Sequence, residues 1–165
     1  MGYDVNIQRL ELNAVIDLQG SAQAIRNWVK SGLPPFPDQP NSASASDGLA
    51  LYWIAPERWL LRSAIENEER MLEITQPASA PIDLSVVQVS DAFRFFQIVG
   101  PDAGEIVSTA CPLDHHLSVF PQNGVSYTSV FGIKCLLIRT ENGFEIAVES
   151  SFADMTADYL ERATS

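Results

Sequence analysis

Leu10, Leu12, Ala14, Ile16 and Leu18 alternate with Glu11, Asn13, Val15 and Asp17, a period of two that predicts a strand with one buried face. Gly20-Ser21 stops it, with Ser21 placed to cap a helix from about Ala22 to Ser31, where Ile25, Trp28, Val29 and Gly32 recur at helical spacing. Residues 32–48 hold Pro34, Pro35, Pro37 and Pro40, then Ser42, Ser44 and Ser46, and read as a long loop of a functional or mobile kind. Leu49 to Ile54 and Arg58 to Arg62 are short apolar strands joined by a tight turn at Ala55-Pro56-Glu57. Ser63 and Glu66 have capping-box spacing and predict a helix to about Ile74, and Gln76 to Pro81 reads as a linker.

The order then restarts. Val87 to Val99 predicts one long strand ending at Gly100. Pro101 is suited to a first helical position, and Ala103, Ile106, Val107 and Ala110 form one helical face. A loop over 111–124 contains Pro112 and Pro121. Strands follow at Val125 to Phe131 and Lys134 to Thr140, then a hairpin at Glu141-Asn142-Gly143. Phe144, Ile146 and Val148 mark a last strand, and Phe152, Met155, Thr156, Tyr159 and Leu160 a closing helix capped by Ser150 or Ser151.

The two passages superimpose. Leu18-Gln19-Gly20-Ser21 matches Ile98-Val99-Gly100-Pro101 at an offset of 80, and Ile54 to Trp59 matches Arg139 to Phe144 at an offset of 85. The expected fold class is α+β, with two similar β-α-β-β-α halves packed together, residues 1–76 (loop 32–48) and 77–165, as one compact unit. Phe95 and Phe96 are neighbours and face opposite sides of their strand, so both faces must be covered, by protein or by a partner.

Charge narrows the partners. Ten basic against 21 acidic residues give a net charge of −11, which disfavours nucleic acid and anionic membrane surfaces. Such a charge keeps a free chain in solution and steers it toward a basic partner. The segment from Met1 to Asn6 shows no signal-peptide pattern, no apolar run reaches membrane-span length, and two cysteines suit a reducing cytoplasm. Glu66, Glu68 and Glu69 read as a solvated face near a helix start.

Chemistry is sparse. The sequence has no glycine-rich nucleotide loop, no nucleophile elbow and no Cys-x-x-Cys. The densest polar cluster is Cys111-Pro112-Leu113-Asp114-His115-His116, readable as a metal site or a Cys/His nucleophile pair. The simpler alternative is a buried Cys at a helix end, an Asp holding a turn and surface histidines. No catalytic, cofactor-binding or metal-ligating residue is assigned.

Gly100-Pro101-Asp102-Ala103, Cys111-Pro112-Leu113-Asp114 followed by His116, and Phe120-Pro121 together resemble the gamma subunit family of heterotetrameric sarcosine oxidases. Ala55-Pro56-Glu57 with Trp59-Leu60-Leu61 supports the resemblance, which covers roughly Leu49 to Leu160. It implies a fold like the folate-binding domain of aminomethyltransferases, and Gly100, Pro101, Cys111, Asp114, His116 and Phe120 as family-motif or interface residues. It further implies a non-catalytic cytoplasmic chain whose larger oxidoreductase partner subunits bind FAD, FMN, NAD and tetrahydrofolate. The complex would oxidise sarcosine to glycine with one-carbon transfer to tetrahydrofolate. A similar small subunit of N-methylglutamate dehydrogenase, or a stand-alone folate-binding protein with a pocket near Cys111 to Gly124, are the alternatives. Catalytic relatives carry an Asp on the strand that reads Phe131 to Leu136 here, where no carboxylate occurs.

Overall fold

The computed structural model describes residues 2–165, and Met1, which heads the segment read for targeting signals, lies outside them. Two five-stranded antiparallel sheets organise the chain. Leu12–Ser90 form a continuous unit, and the residues up to Glu11 join Asp91–Ser165 as a split unit. This seam differs from the expected one at 76/77, because two short strands pair with unexpected partners.

The continuous unit runs β2 (Asn13–Gln19), α1 (Ala22–Val29), β3 (Ala43–Ser46), β4 (Leu49–Ala55), β5 (Arg58–Ala64), α2 (Glu68–Thr75) and β6 (Ser85–Gln88). Its sheet order is β3-β4-β5-β2-β6. The split unit runs β1 (Asn6–Arg9), then β7 (Phe93–Val99), α3 (Ala103–Ala110), β8 (Val125–Val130), β9 (Ile133–Thr140), β10 (Gly143–Glu149) and α4 (Ala153–Thr164). Its order, β8-β9-β10-β7-β1, is the same topology. The repeat is therefore real, with three strands between the helices of each half, β3 being the one missing from the reading of the first half. The fifth strand comes after the second helix in one unit and from the chain's beginning in the other.

Several local expectations hold. Ser21 Oγ accepts from the Ala24 N–H at 3.1 Å as a helix cap. Ala103, Ile106, Val107 and Ala110 are the buried face of α3. The turn between β4 and β5 and that between β9 and β10 sit at the predicted offset of 85.

Others are corrected by longer-range bonds. The alternating stretch from Leu10 spans no single strand, since β1 pairs with β7 while β2 pairs with β5 and β6. Both faces of β2 are covered, Val15 and Asp17 included. The predicted long strand over 87–99 breaks between β6 and β7, where Ser90 Oγ accepts from Val15 N–H at 3.0 Å and donates to Glu68 Oε1 at 2.5 Å. Glu68 is thus a partner to Ser90 rather than part of a purely solvated face. Ser63 caps no helix: it lies in β5, donating to the Gly48 carbonyl at 2.6 Å. Ser150 donates to the Asp91 carbonyl, and α4 starts without a side-chain cap. Part of the 32–48 loop is the edge strand β3.

Each unit has its own apolar core. Ile16, Leu18, Ile25, Leu49, Leu51, Trp59, Leu61 and Met71 build one, and Phe96, Ile98, Ile106, Val107, Leu137, Phe144, Ile146 and Leu160 the other. Phe95 is buried as well as Phe96, so this strand offers no free aromatic face. Among the described residues, no helix is long and apolar enough to cross a membrane.

Candidate functional site

The loop over 111–124 leaves α3 and returns to β8. At its start Cys111 is buried, its N–H donating to the Val107 carbonyl at 2.8 Å and its Sγ lying 3.4 Å from Thr128 Oγ1. Asp114 Oδ1 accepts from the His116 N–H at 2.9 Å, an Asx turn that reverses the chain. His116 is exposed, and its Nδ1 accepts from the Ser118 N–H at 3.2 Å with Ser118 Oγ at 2.7 Å. Accepting that bond requires an unprotonated Nδ1, so the neutral ring carries its proton on Nε2. His115 turns the other way. Its ring stands edge-on to Phe144, with centroids 5.2 Å apart and planes at 88°.

Arg139, which the sequence reading did not single out, holds this loop. From β9 its Nε donates to the Phe120 carbonyl at 2.9 Å, and its terminal nitrogen donates to the His115 carbonyl. The guanidinium lies 4.8 Å from the Phe144 ring centroid and 5.5 Å from that of Phe120. Burial lowers its pKa from the ordinary arginine value. Its signal in the sequence was a lone cation closing the apolar run Cys135-Leu136-Leu137-Ile138. Phe120 fills the loop's inner side and is buried, whereas Leu117 and Val119 stand 59% and 63% exposed.

Gly100 and Pro101 lie at the opposite end of α3 from Cys111. Gly100 has φ +128°, and a Cβ there would stand 2.6 Å from the Asp4 carbonyl oxygen. Asp102 completes the contact, accepting from the Asp4 N–H at 2.6 Å and donating its own N–H to the Asp4 carbonyl at 3.2 Å. Gly100 thus anchors the segment leading into β1. The motif residues fall into two places: Cys111, Asp114, His116 and Phe120 shape one loop, and Gly100 and Pro101 lie at the start of α3, where Gly100 and Asp102 tie down the segment entering the first strand.

The cluster offers little chemistry of its own. Cys135 is buried, and burial first, then the neighbouring Cys111, pushes its pKa up to about 12, leaving a neutral thiol at physiological pH. No group of three or more His, Cys, Asp or Glu side chains among the described residues could hold a metal ion. The continuous unit carries hollows of its own. A groove of about 230 Å³ runs along residues 26 and 29–36, and an open depression of about 450 Å³ is bounded by residues 19–20, 55–58 and 82–85.

Comparison with known proteins agrees with the motifs. The model of the GCVT N-terminal domain matches residues 40–165. The sarcosine oxidase gamma subunit of Corynebacterium sp. strain U-96 is 32% identical over 114 residues, which are 68% of this chain and 55% of that relative. The gamma subunit from Corynebacterium sp. strain P-1 is 29% identical over 143 residues, covering 86% of this chain and 68% of the relative. This chain thus spans between about half and two thirds of these relatives' lengths. Among solved structures, a chain of the heterotetrameric sarcosine oxidase from Corynebacterium sp. U-96, in complex with pyrrole 2-carboxylate, has a TM-score of 0.83 at 24% identity, covering 97% of this chain and 83% of that one. The glycine cleavage system aminomethyltransferase T from Bartonella henselae has a TM-score of 0.70 at 15% identity, covering 95% of this chain and 45% of that one. The aminomethyltransferase-like fold expected from the motifs is therefore the fold observed. The chain belongs to the GCVT N-terminal domain family, and its sequence is similar to the gamma subunits of sarcosine oxidase.

Proposed function

We propose that this chain is a non-catalytic, gamma-type subunit of a cytoplasmic, heterotetrameric sarcosine oxidase-like complex. The observation that carries this reading is the 32% identity to a sarcosine oxidase gamma subunit. Two features of the chain support it. Strand β9 presents no carboxylate, and the Cys135 thiol stays neutral below about pH 12, so neither a general base nor a thiolate arises there. The loop over 111–124 is instead shaped for contact. Asp114 and Arg139 hold its backbone, which displays Leu117 and Val119 to solvent. A rigid loop loses little entropy on docking, so its apolar tips contribute more net affinity.

On this reading the larger partner subunits bind FAD, FMN, NAD and tetrahydrofolate. The assembly oxidises sarcosine to glycine and passes the one-carbon unit to tetrahydrofolate. Gly100, Pro101, Cys111, Asp114, His116 and Phe120 serve by fixing the docking loop and the first strand. The test is co-expression with the larger subunits of such an oxidase, followed by size-exclusion chromatography. The chain is expected to co-elute with them, and the double variant Leu117→Asp, Val119→Asp to elute alone with an unchanged Tm. Wild-type chain that always elutes alone overturns the proposal. So does tight tetrahydrofolate binding by the isolated chain in calorimetry.

A further inference from the structure

Of the ten basic residues in this chain of net charge −11, seven pair with a carboxylate or donate to an oxygen, and Lys134 and Arg26 each lie over an aromatic ring. Arg26 and Lys30 share one groove. Neither makes an ion pair or a side-chain hydrogen bond with any described residue, and both line the groove of about 230 Å³ at the carboxyl end of α1. No carboxylate lines that groove. Two uncompensated cations facing one hollow in so acidic a molecule are an electrostatic trap for an anion.

The walls are built rather than loose. The Arg26 guanidinium lies 4.7 Å from the Phe36 ring centroid, and Phe36 stands edge-on to Trp59 at 5.3 Å with planes at 80°. Stacking on a ring face holds the guanidinium while leaving its planar fork of N–H donors free. Ser44 Oγ donates to the Pro35 carbonyl, and Trp28 Nε1 donates to the Thr75 carbonyl at 2.8 Å, fixing the loop and the helix on either side. Val29 and Pro34 are buried, so the groove has an apolar floor beside its cations.

Lys30 itself is strained. Its φ of 64° and ψ of −55°, with the Ser31 N–H donating to the Val29 carbonyl at 2.7 Å, form a classic γ-turn that side chains rarely adopt. Glycine would sit there at lower cost, yet the position holds a cation. Strain retained in this way is characteristic of ligand-binding positions.

We propose that this groove is a binding site for a small organic carboxylate, independent of the docking loop. Arg26 and Lys30 take the carboxylate, and Val29, Leu33, Pro34 and Phe36 take a flat apolar body. The volume admits a single-ring molecule and not a drug-sized one. Favourable placement of both cations at a helix carboxyl end is the purely structural alternative, and the test separates the two.

The full chain, labelled with 15N, is titrated with benzoate and separately with the neutral isostere benzamide at equal ionic strength. Benzoate is expected to give saturable amide shifts at Lys30, Ser31, Gly32 and Phe36, and benzamide to bind at least tenfold more weakly. Arg26→Gln is expected to weaken benzoate at least fivefold. Lys30→Gly is expected to raise Tm while weakening benzoate by a similar factor, a combination that a structural role does not produce. No saturable shift in this segment, equal binding of benzoate and benzamide, or undiminished binding by Lys30→Gly overturns the proposal.

Discussion

The two units solve one packing problem with different side chains. In each, an aromatic residue second in the strand after the tight turn is the platform for the loop that follows the first helix. Phe36 stands edge-on to Trp59 in the continuous unit, and His115 stands edge-on to Phe144 in the split unit, 85 residues later. What holds the loops differs. Arg139 grips the split unit's loop, and the position 85 residues earlier is Ile54, so the continuous unit uses prolines and Ser44 instead. Consequently Arg139 is engaged in holding its loop, while Arg26 and Lys30 make no ion pair or side-chain hydrogen bond with any described residue. Duplicated architecture leaves each copy's loop open to a different task, proposed here as contact in one and anion capture in the other.

The sharpest break in this comparison is at its glycines. Gly20 and Gly100 end equivalent strands with φ of +138° and +128°, each against the segment entering the fifth strand. A Cβ on Gly100 meets a backbone oxygen at 2.6 Å, whereas one on Gly20 meets the movable Leu84 Cδ2 at 2.4 Å. Gly100→Ala is therefore expected to cost about 3 kcal/mol in urea unfolding and Gly20→Ala about half that. Equal costs would show that the two fifth strands are anchored alike. Arg139→Gln removes charged donors from two carbonyls and is expected to cost about 2 kcal/mol, with faster amide exchange over 113–120 and none of this in the continuous unit. Lys30→Gly works in the opposite direction, stabilising by about 1 kcal/mol through relief of its positive φ, read as a higher urea midpoint.

At neutral pH the smallest effect is that of Cys135. Its folded pKa of about 12 lies above the ordinary 9.0, so the folded state binds more protons than the unfolded state between those values. The stabilisation is complete below pH 9 and is lost as pH rises toward 12. Cys135→Ala should flatten this alkaline slope in a pH series of unfolding curves. Both cysteines lie in the split unit, so the slope belongs to that unit alone.

The amino-acid sequence by itself determined the local elements and their duplication. Period-two and helical spacing are properties of neighbouring residues, so β4, β5, α1, α3 and β10 were legible, as were the offsets of 80 and 85. The Asp114 turn and the buried Cys111 were legible for the same reason, since each depends on the adjacent few residues. Tertiary structure alone decided the rest. Asn6–Arg9 and Ser85–Gln88 are four-residue strands too short to carry a period, and only hydrogen bonds to β7 and β2 make them strands. Those pairings moved the seam between the units to Glu11 and Ser90. The grip of Arg139 on His115 and Phe120 and the convergence of Arg26, Lys30 and Phe36 depend on where distant backbone comes to rest, which no local pattern encodes.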